Sequence, residues 1–176
     1  PDISQETRDM IHAYANEHNY KTNVQAVNLR AGRSNTIGVI VPQMVHHFFS
    51  CVLSGIEQAA SKAGYNIIVA QSNESYEQEV KIVHSFLAAR VCGVIASLAK
   101  ETARYDHYQE LLNNDIPIVF YDRICTGIKT ERVVVDDYAG SFAAVEYMIQ
   151  TGCRRIFFYG AAPHLEITKN RRNGYL

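Results

Sequence analysis

The chain has 176 residues, of which 47% are hydrophobic and 20% charged, and its formal net charge is −1. This composition predicts a folded core and excludes a chain that is basic throughout, so any contact with nucleic acid must be local. The longest apolar runs, near residues 91–99 and 116–121, are too short to span a bilayer, and the polar start lacks the apolar region of a signal peptide. We therefore expect a cytoplasmic protein with no membrane partner.

The first predicted element is a short polar helix with Ser4 as its N-cap. It carries an apolar stripe at helical spacing, formed by Met10, Ile11, Tyr14 and His18. One such helix cannot bury its own stripe, so we expect a partner segment. A second short helix is predicted over residues 24–31, between Asn23 as N-cap and Gly32 as C-terminal cap. So short a helix is not stable alone in water and should form only when docked.

The charge around this second helix is unusual for the chain. No acidic residue lies between Glu17 and Glu57. The stretch instead carries positive charge, at Lys21, Arg30 and Arg33. Such a segment can lie against a polyanion without repulsion. The sequence therefore predicts that any contact with nucleic acid is made here.

From Thr36 onward, apolar strands alternate with amphipathic helices. The predicted strands cover residues 37–42, 66–70, 91–97, 116–121 and 132–135. The helices between them cover residues 49–63, 76–89 and 103–113, the first of them ending at Gly64. This pattern indicates an α/β fold with a parallel sheet covered on both faces, and right-handed crossovers make the sheet doubly wound. A further helix to about residue 152, a strand over 155–159 and a helix from residue 170 predict the opening of a second α/β unit.

Candidate binding residues follow two of the predicted strands. Phe48 and Phe49 lie after the first strand, and Asp122 lies after the fourth. Open α/β sheets bind ligands at the carboxyl ends of their strands. A carboxylate that accepts hydrogen bonds from hydroxyl groups, beside flat apolar rings, suits a sugar or a similar small polar metabolite. Two alternatives stay open: either phenylalanine could be a core residue, and Asp122 with Arg123 could form a surface ion pair.

The sequence contains none of the common catalytic motifs. There is no G-x-G-x-x-G, no phosphate-binding loop with its lysine, and no G-x-S-x-G. His46 and His47 suggest a metal, but neighbouring histidines in a strand-to-helix loop rarely share one ion. The four cysteines form no C-x-x-C pair, which is typical of reduced thiols. We expect no catalytic residue, no metal and no cofactor.

The junction over residues 23–42, together with the strand order, resembles the LacI-type family of bacterial transcriptional repressors. The resemblance extends over nearly the whole chain. It implies that residues 1–22 end a helix-turn-helix headpiece and that residues 23–35 form a hinge helix and linker. Residues 36–138 would then be the N-terminal effector-binding lobe, of the type I periplasmic-binding-protein kind, and residues 139–176 the start of a truncated second lobe.

The resemblance also assigns DNA-binding residues. In the family, the hinge helix lies in the DNA minor groove and inserts a leucine between base pairs, which kinks the duplex. The matching residue here is Leu29. The other residues expected at DNA are Tyr20, Asn23, Ala26 and Arg30. One departure is Thr22, which stands where the family often has proline and leaves the start of this helix less fixed.

Two further motifs resemble the family's pattern for the second lobe. Residues 171–175 match R-x-x-G-[YFW], which implies that Arg171 faces the effector together with Phe48, Phe49 and Asp122. Residues 136–140 match D-[ND]-x-x-G at the first crossover between lobes, where we favour helix capping at a hinge over any chemistry.

The function implied is that of a ligand-responsive regulator, expected to be a repressor. A homodimer would place two hinge helices on double-stranded operator DNA, and a sugar-like effector between the lobes would control their insertion. One alternative is a sugar-binding protein of the periplasm without DNA function, and the polar start together with residues 1–36 argues against it. The other is a small doubly wound enzyme, against which the missing catalytic motifs argue.

Overall fold

Five parallel strands form one sheet in the computed structural model, which describes residues 3–20 and 34–176. The strands are β1 (Thr36–Val41), β2 (Asn66–Gln71), β3 (Gly93–Ala96), β4 (Ile118–Tyr121) and β5 (Glu131–Val133). Their order across the sheet is β2-β1-β3-β4-β5. The chain therefore proceeds to one side of β1 first and to the other side afterwards, which creates a switch point between β1 and β3. The expected doubly wound parallel sheet is confirmed.

Six helices lie in the described ranges. They are α1 (Gln5–Glu17), α2 (His47–Lys62), α3 (Tyr76–Ala88), α4 (Asp106–Asn113), α5 (Asp137–Gln150) and α6 (Glu166–Tyr175). The predicted capping of α1 is confirmed, since Ser4 Oγ accepts a hydrogen bond from the Thr7 amide at 3.3 Å. Helix α2 ends before Gly64, whose φ of 77° is a left-handed conformation that favours glycine.

The main core lies between the sheet and helices α3 and α4. Its buried members include Ile40, Val94 and Phe120 from the strands and Phe86 and Tyr108 from the helices. These positions come from apolar stripes that face the sheet, and burial of each large side chain contributes roughly 1.5–3 kcal/mol. The core therefore fixes the strand ends, from which the loops at the carboxyl edge of the sheet begin.

The chain divides into two compact units, Pro1–Ser34 and Asn35–Leu176. In the first unit, helix α1 buries no residue, and its predicted apolar stripe is exposed. The His18 ring stacks on Tyr14 at a centroid distance of 4.0 Å. The predicted helix over residues 24–31 lies outside the described residues. The lobe boundary near residue 138 stays a prediction.

Two predicted elements differ in the structure. Residues 155–159 form no strand, and two of their aromatic side chains, Phe157 and Tyr159, are 87% and 91% exposed. A strand exists only when a neighbour accepts and donates its ladder of hydrogen bonds, and no other strand in the described ranges pairs with this segment. Helix α6 begins at Glu166 rather than at residue 170, with Leu165 as its N-cap residue.

None of the helices in the described part of the chain is both long and apolar enough to cross a bilayer.

Candidate functional site

A cleft of about 750 Å³ lies at the carboxyl edge of the sheet. Its walls come from the loops that follow β1, β3, β4 and β5 and from the segment that contains α6. All four residues predicted to bind an effector line it: Phe48, Phe49, Asp122 and Arg171. The structure therefore brings these four together, while their role in binding stays a prediction.

The two phenylalanines occupy different environments. Phe49 is only 4% exposed, and its ring meets Tyr121 edge-on at a centroid distance of 6.3 Å. Phe48 is 51% exposed and touches the Phe49 ring at 5.2 Å between centroids. Phe49 is thus both a core residue and part of the cleft wall. Phe48 is not a core residue and presents an exposed apolar ring to the cleft.

Asp122 is the first residue after β4. Its amide donates a hydrogen bond to the Val133 carbonyl at 3.2 Å, which fixes the backbone in a left-handed conformation with a φ of 56°. Burial raises the pKa of the Asp122 carboxyl, and the nearby guanidinium groups of Arg123 and Arg171 oppose that shift. In its ionised form the carboxylate is a hydrogen-bond acceptor on the cleft wall.

Arg123 belongs to a partly buried ion-pair network. Its Nη1 donates to Glu74 Oε2 at 2.6 Å and to the Leu98 carbonyl at 3.3 Å. The Asp122 carboxylate lies farther away, with Oδ2 at 3.9 Å from Arg123 Nε. All three side chains of this network are mostly buried, so a surface ion pair between Asp122 and Arg123 is the wrong description.

Arg171 reaches the cleft from helix α6. Its Nε donates to Asp137 Oδ1 at 2.7 Å, and its carbonyl accepts a hydrogen bond from Ser141 Oγ at 2.7 Å. An arginine held through Nε still offers its two terminal nitrogens as donors to a ligand. The side chain is half exposed and therefore accessible from solvent.

The two carboxylates at the start of α5 have separate roles. Asp136 Oδ1 accepts a hydrogen bond from the Ala139 amide at 2.9 Å, so the predicted capping is confirmed. Asp137 instead forms the ion pair with Arg171 and lines the cleft. Nothing in the local sequence pattern indicated that pair, because its members are 34 positions apart.

A second buried polar cluster was also absent from the sequence predictions. Glu79 on α3 is fully buried and accepts three hydrogen bonds. The donors are the Ala99 amide at 2.8 Å, Thr102 Oγ1 at 2.7 Å and, at 3.0 Å, His107 Nε2. The cluster ties the loop after β3 to helices α3 and α4. In the sequence, the only sign of this cluster is a glutamate within the amphipathic pattern of α3. A glutamate at that position is equally compatible with exposure to solvent.

The predicted DNA-binding residues lie mostly beyond the described ranges. Asn23, Ala26, Leu29 and Arg30 fall in residues 21–33, outside the part of the chain that the structure describes. Tyr20 is described and exposed, and its amide donates to the Ala15 carbonyl at 2.8 Å. Their contact with DNA stays a prediction.

The two histidines after β1 have other neighbours. The ring of His46 shares a hydrogen bond of 2.6 Å with Gln43 Oε1. The ring of His47 lies 3.6 Å from Cys51 Sγ, one helical turn away. Across residues 3–20 and 34–176, no group of three or more histidine, cysteine or acidic side chains is arranged to hold a metal.

A parallel sheet with a switch point, and a cleft lined by acidic, basic and aromatic side chains at its carboxyl edge, define an α/β ligand-binding lobe. Residues 34–176 match the family model described as periplasmic binding proteins and sugar binding domain of LacI family. The chain belongs to this family. The resemblance inferred from the sequence is thereby confirmed.

Individual relatives agree with this assignment. The chain is 27% identical to the catabolite repressor/activator of Salmonella typhimurium, over 98% of this chain and 52% of that protein. It is 29% identical to the ribose operon repressor of Bacillus subtilis, over 99% of this chain and 51% of that protein. It thus spans about half the length of the curated relatives it matches.

Among solved structures, the chain is similar to a periplasmic binding protein/LacI transcriptional regulator from Alkaliphilus metalliredigens complexed with D-xylulofuranose. The sequences are 29% identical, the TM-score is 0.71, and the match covers 81% of this chain and 51% of that one.

Proposed function

We propose that this chain is part of a ligand-responsive DNA-binding transcriptional regulator, acting as a repressor in the cytoplasm. Its cleft binds a small sugar-like effector. The observation that carries the proposal is the position of Asp122 and Arg171 on two walls of one cleft, with the open ring of Phe48 beside them. Acceptor, donor and apolar surface are the three elements that a sugar requires.

The switch follows from the origin of these two residues. Asp122 follows a strand of the sheet, whereas Arg171 belongs to helix α6, which packs mainly on α5. A ligand that bonds to both walls favours the arrangement in which they are close. A change in that arrangement would order or melt the hinge helix over residues 23–35. In a homodimer, two such helices would then bind to the operator minor groove or be released from it.

A regulator is favoured over a periplasmic binding protein without DNA function. The alignments with two repressors cover 98% and 99% of the chain, and so include the segment before residue 34, which the model of the binding domain does not match. The relatives are regulators rather than enzymes, and we propose no catalytic activity and no cofactor.

The proposal is tested by titration calorimetry on the full-length regulator. D-ribose and D-xylulose are the first ligands to test, because one similar protein is a ribose operon repressor and another is complexed with D-xylulofuranose. Arg171→Ala and Asp122→Asn should each weaken binding about 10- to 150-fold, since a hydrogen bond to a charged group contributes roughly 1.5–3 kcal/mol. Arg172→Ala is the matched control, because Arg172 neighbours Arg171 on α6 and does not line the cleft.

The response on DNA is measured in the same variants. Effector should change the affinity for operator DNA in the wild type and in Arg172→Ala, and should have little effect in Arg171→Ala at moderate concentration. Affinity without effector should be similar in all three proteins. Unchanged effector affinity in both Arg171→Ala and Asp122→Asn would reject this cleft as the effector site.

A further inference from the structure

We infer that the effector is a sugar without a charged substituent, and that Glu74 sets this preference by neutralising cations of the cleft. The inference rests on the proposed function and specifies the class of ligand. The ion pairs around the cleft support it, because the cations that line the cleft would by themselves favour an anion.

Three permanently charged cations line the cleft, namely Lys100, Arg123 and Arg171. In isolation this number would favour a phosphorylated or carboxylated sugar. Each of the three, however, lies within ion-pair distance of a carboxylate. The attraction of the cleft for an anion is therefore reduced before any ligand arrives.

Glu74 neutralises two of these cations from behind the cleft wall. Its Oε2 accepts from Arg123 Nη1 at 2.6 Å, and its Oε1 lies 3.8 Å from Lys100 Nζ. The same Oε2 also accepts from the Lys100 amide at 2.9 Å, so the carboxylate is fixed to the loop that carries Lys100. Glu74 is mostly buried, which limits screening of the pair by salt.

The third cation is neutralised within the cleft itself. Arg171 Nε donates to Asp137 Oδ1 at 2.7 Å, and Asp122 adds a further carboxylate to the wall. Three carboxylates, at Glu74, Asp122 and Asp137, thus balance three cations. A phosphate group, which carries a charge of about −1.5 to −2 at neutral pH, would have to disrupt these pairs or lie beside Asp122 and Asp137.

An uncharged sugar meets no such penalty. Its hydroxyl groups can donate to the carboxylates and accept from the guanidinium groups without breaking the Arg123–Glu74 pair. The exposed ring of Phe48 can cover the apolar face of the sugar ring. The paired charges therefore select for hydroxyl groups and against anions.

Calorimetry on the full-length regulator compares each neutral sugar with its phosphate: D-ribose with D-ribose 5-phosphate, D-fructose with D-fructose 1-phosphate, and D-glucose with D-glucose 6-phosphate. The buffer is at pH 8, because the second ionisation of a phosphate group has a pKa of about 6 and is complete there. In the wild type, the neutral member of the best-binding pair should bind at least about 10-fold more tightly, from like-charge repulsion by the carboxylates.

Glu74→Gln keeps the size of the side chain and removes its charge. It should move the affinity ratio toward the phosphorylated member by about 10-fold or more, because the three cations at the cleft then outnumber the two remaining carboxylates. Glu77→Gln is the matched control, since it removes the same charge from an exposed position in the first turn of α3 and should leave the ratio unchanged. A purely structural role of Glu74 would weaken both sugars equally.

Tighter binding of the phosphorylated sugar by the wild type overturns the inference and leaves the proposed function intact. An unchanged ratio in Glu74→Gln overturns the role given to Glu74. If no sugar of either kind binds, the proposed function itself fails, and this inference fails with it.

Discussion

Replacement of Glu79 by alanine tests whether the buried carboxylate fixes the loop after β3. The side chain is fully buried, and its two oxygens accept from the Ala99 amide, Thr102 Oγ1 and His107 Nε2. These donors come from a loop and from helix α4. The variant therefore removes the acceptor on which two separate elements depend.

The expected loss follows from the groups left behind. Each buried donor without an acceptor costs about 1–3 kcal/mol, and relaxation or entry of water recovers part of the total. Three buried donors lose their acceptor in this variant, at the Ala99 amide, Thr102 Oγ1 and His107 Nε2. We therefore expect Glu79→Ala to lower the free energy of unfolding by about 3–5 kcal/mol, out of a total of about 5–15 kcal/mol for a typical protein. Glu79→Gln retains one acceptor oxygen and should cost less.

Two measurements check this value. Urea unfolding followed by circular dichroism gives the overall loss, with Glu77→Ala as an exposed control on the same helix that should change stability by about 0.5 kcal/mol or less. Because multidomain proteins often unfold in several steps, hydrogen exchange of the Ala99 amide is the sharper assay. That amide should lose its protection in Glu79→Ala, while amides in β4 should change much less.

An overall loss below about 1 kcal/mol, which is the scale of one ordinary hydrogen bond, would refute the reasoning. Unchanged exchange at Ala99 would refute it independently, because the loop would then be held by other contacts.

Two further predictions concern the hinge and the packing of α6. In the full-length protein, Leu29→Ala should weaken binding to operator DNA more than binding to random DNA, because a leucine inserted between base pairs contributes only on bent operator DNA. Equal losses on both DNAs in a gel shift would reject this role. Gly174→Ala should destabilise by about 1–3 kcal/mol, since a Cβ there would lie 2.3 Å from the Tyr138 carbonyl oxygen of α5. Gly140→Ala is its control, because a Cβ added there would meet nothing within 4 Å beyond its own helical turn. This variant should be neutral or stabilising in thermal melts.

The sheet could be predicted because its signal is local. A short continuous apolar run such as residues 37–42 is typical of a strand covered on both faces, and the helices between such runs indicate parallel crossovers. The position of the cleft follows as well, since the carboxyl ends of parallel strands lie at one edge. Phe48 and Asp122 could therefore be placed together from sequence, although 74 positions separate them.

The ion pairs of the cleft could not be predicted in this way. Glu74 and Arg123 meet because two loops at the sheet edge pack against each other, and they are 49 positions apart. No periodicity records which of several charged side chains at that edge will be partners. The sequence thus indicated which kinds of charged group lie at the cleft. It did not indicate which of them are paired, and so it did not predict the net charge that a ligand meets.

The failed strand over residues 155–159 has a different cause. Its aromatic and apolar residues have high strand propensity, but propensity describes only how well a residue fits a pleated surface. A strand also requires a hydrogen-bonding neighbour, which this segment lacks within the described chain. The strand predicted over residues 155–159 is therefore wrong, because local propensity does not determine pairing.

The backbone at Asp122 explains how two consecutive charged side chains can serve one cleft. Along an extended strand, neighbouring side chains point to opposite faces, so Asp122 and Arg123 would diverge if β4 continued. The left-handed conformation at Asp122 ends the strand instead, and both residues line the cleft. Asparagine and aspartate adopt this conformation more readily than most residues. Asp122→Asn therefore removes the charge and replaces one acceptor oxygen by a donor nitrogen without straining the backbone, whereas alanine at this position would also strain the turn.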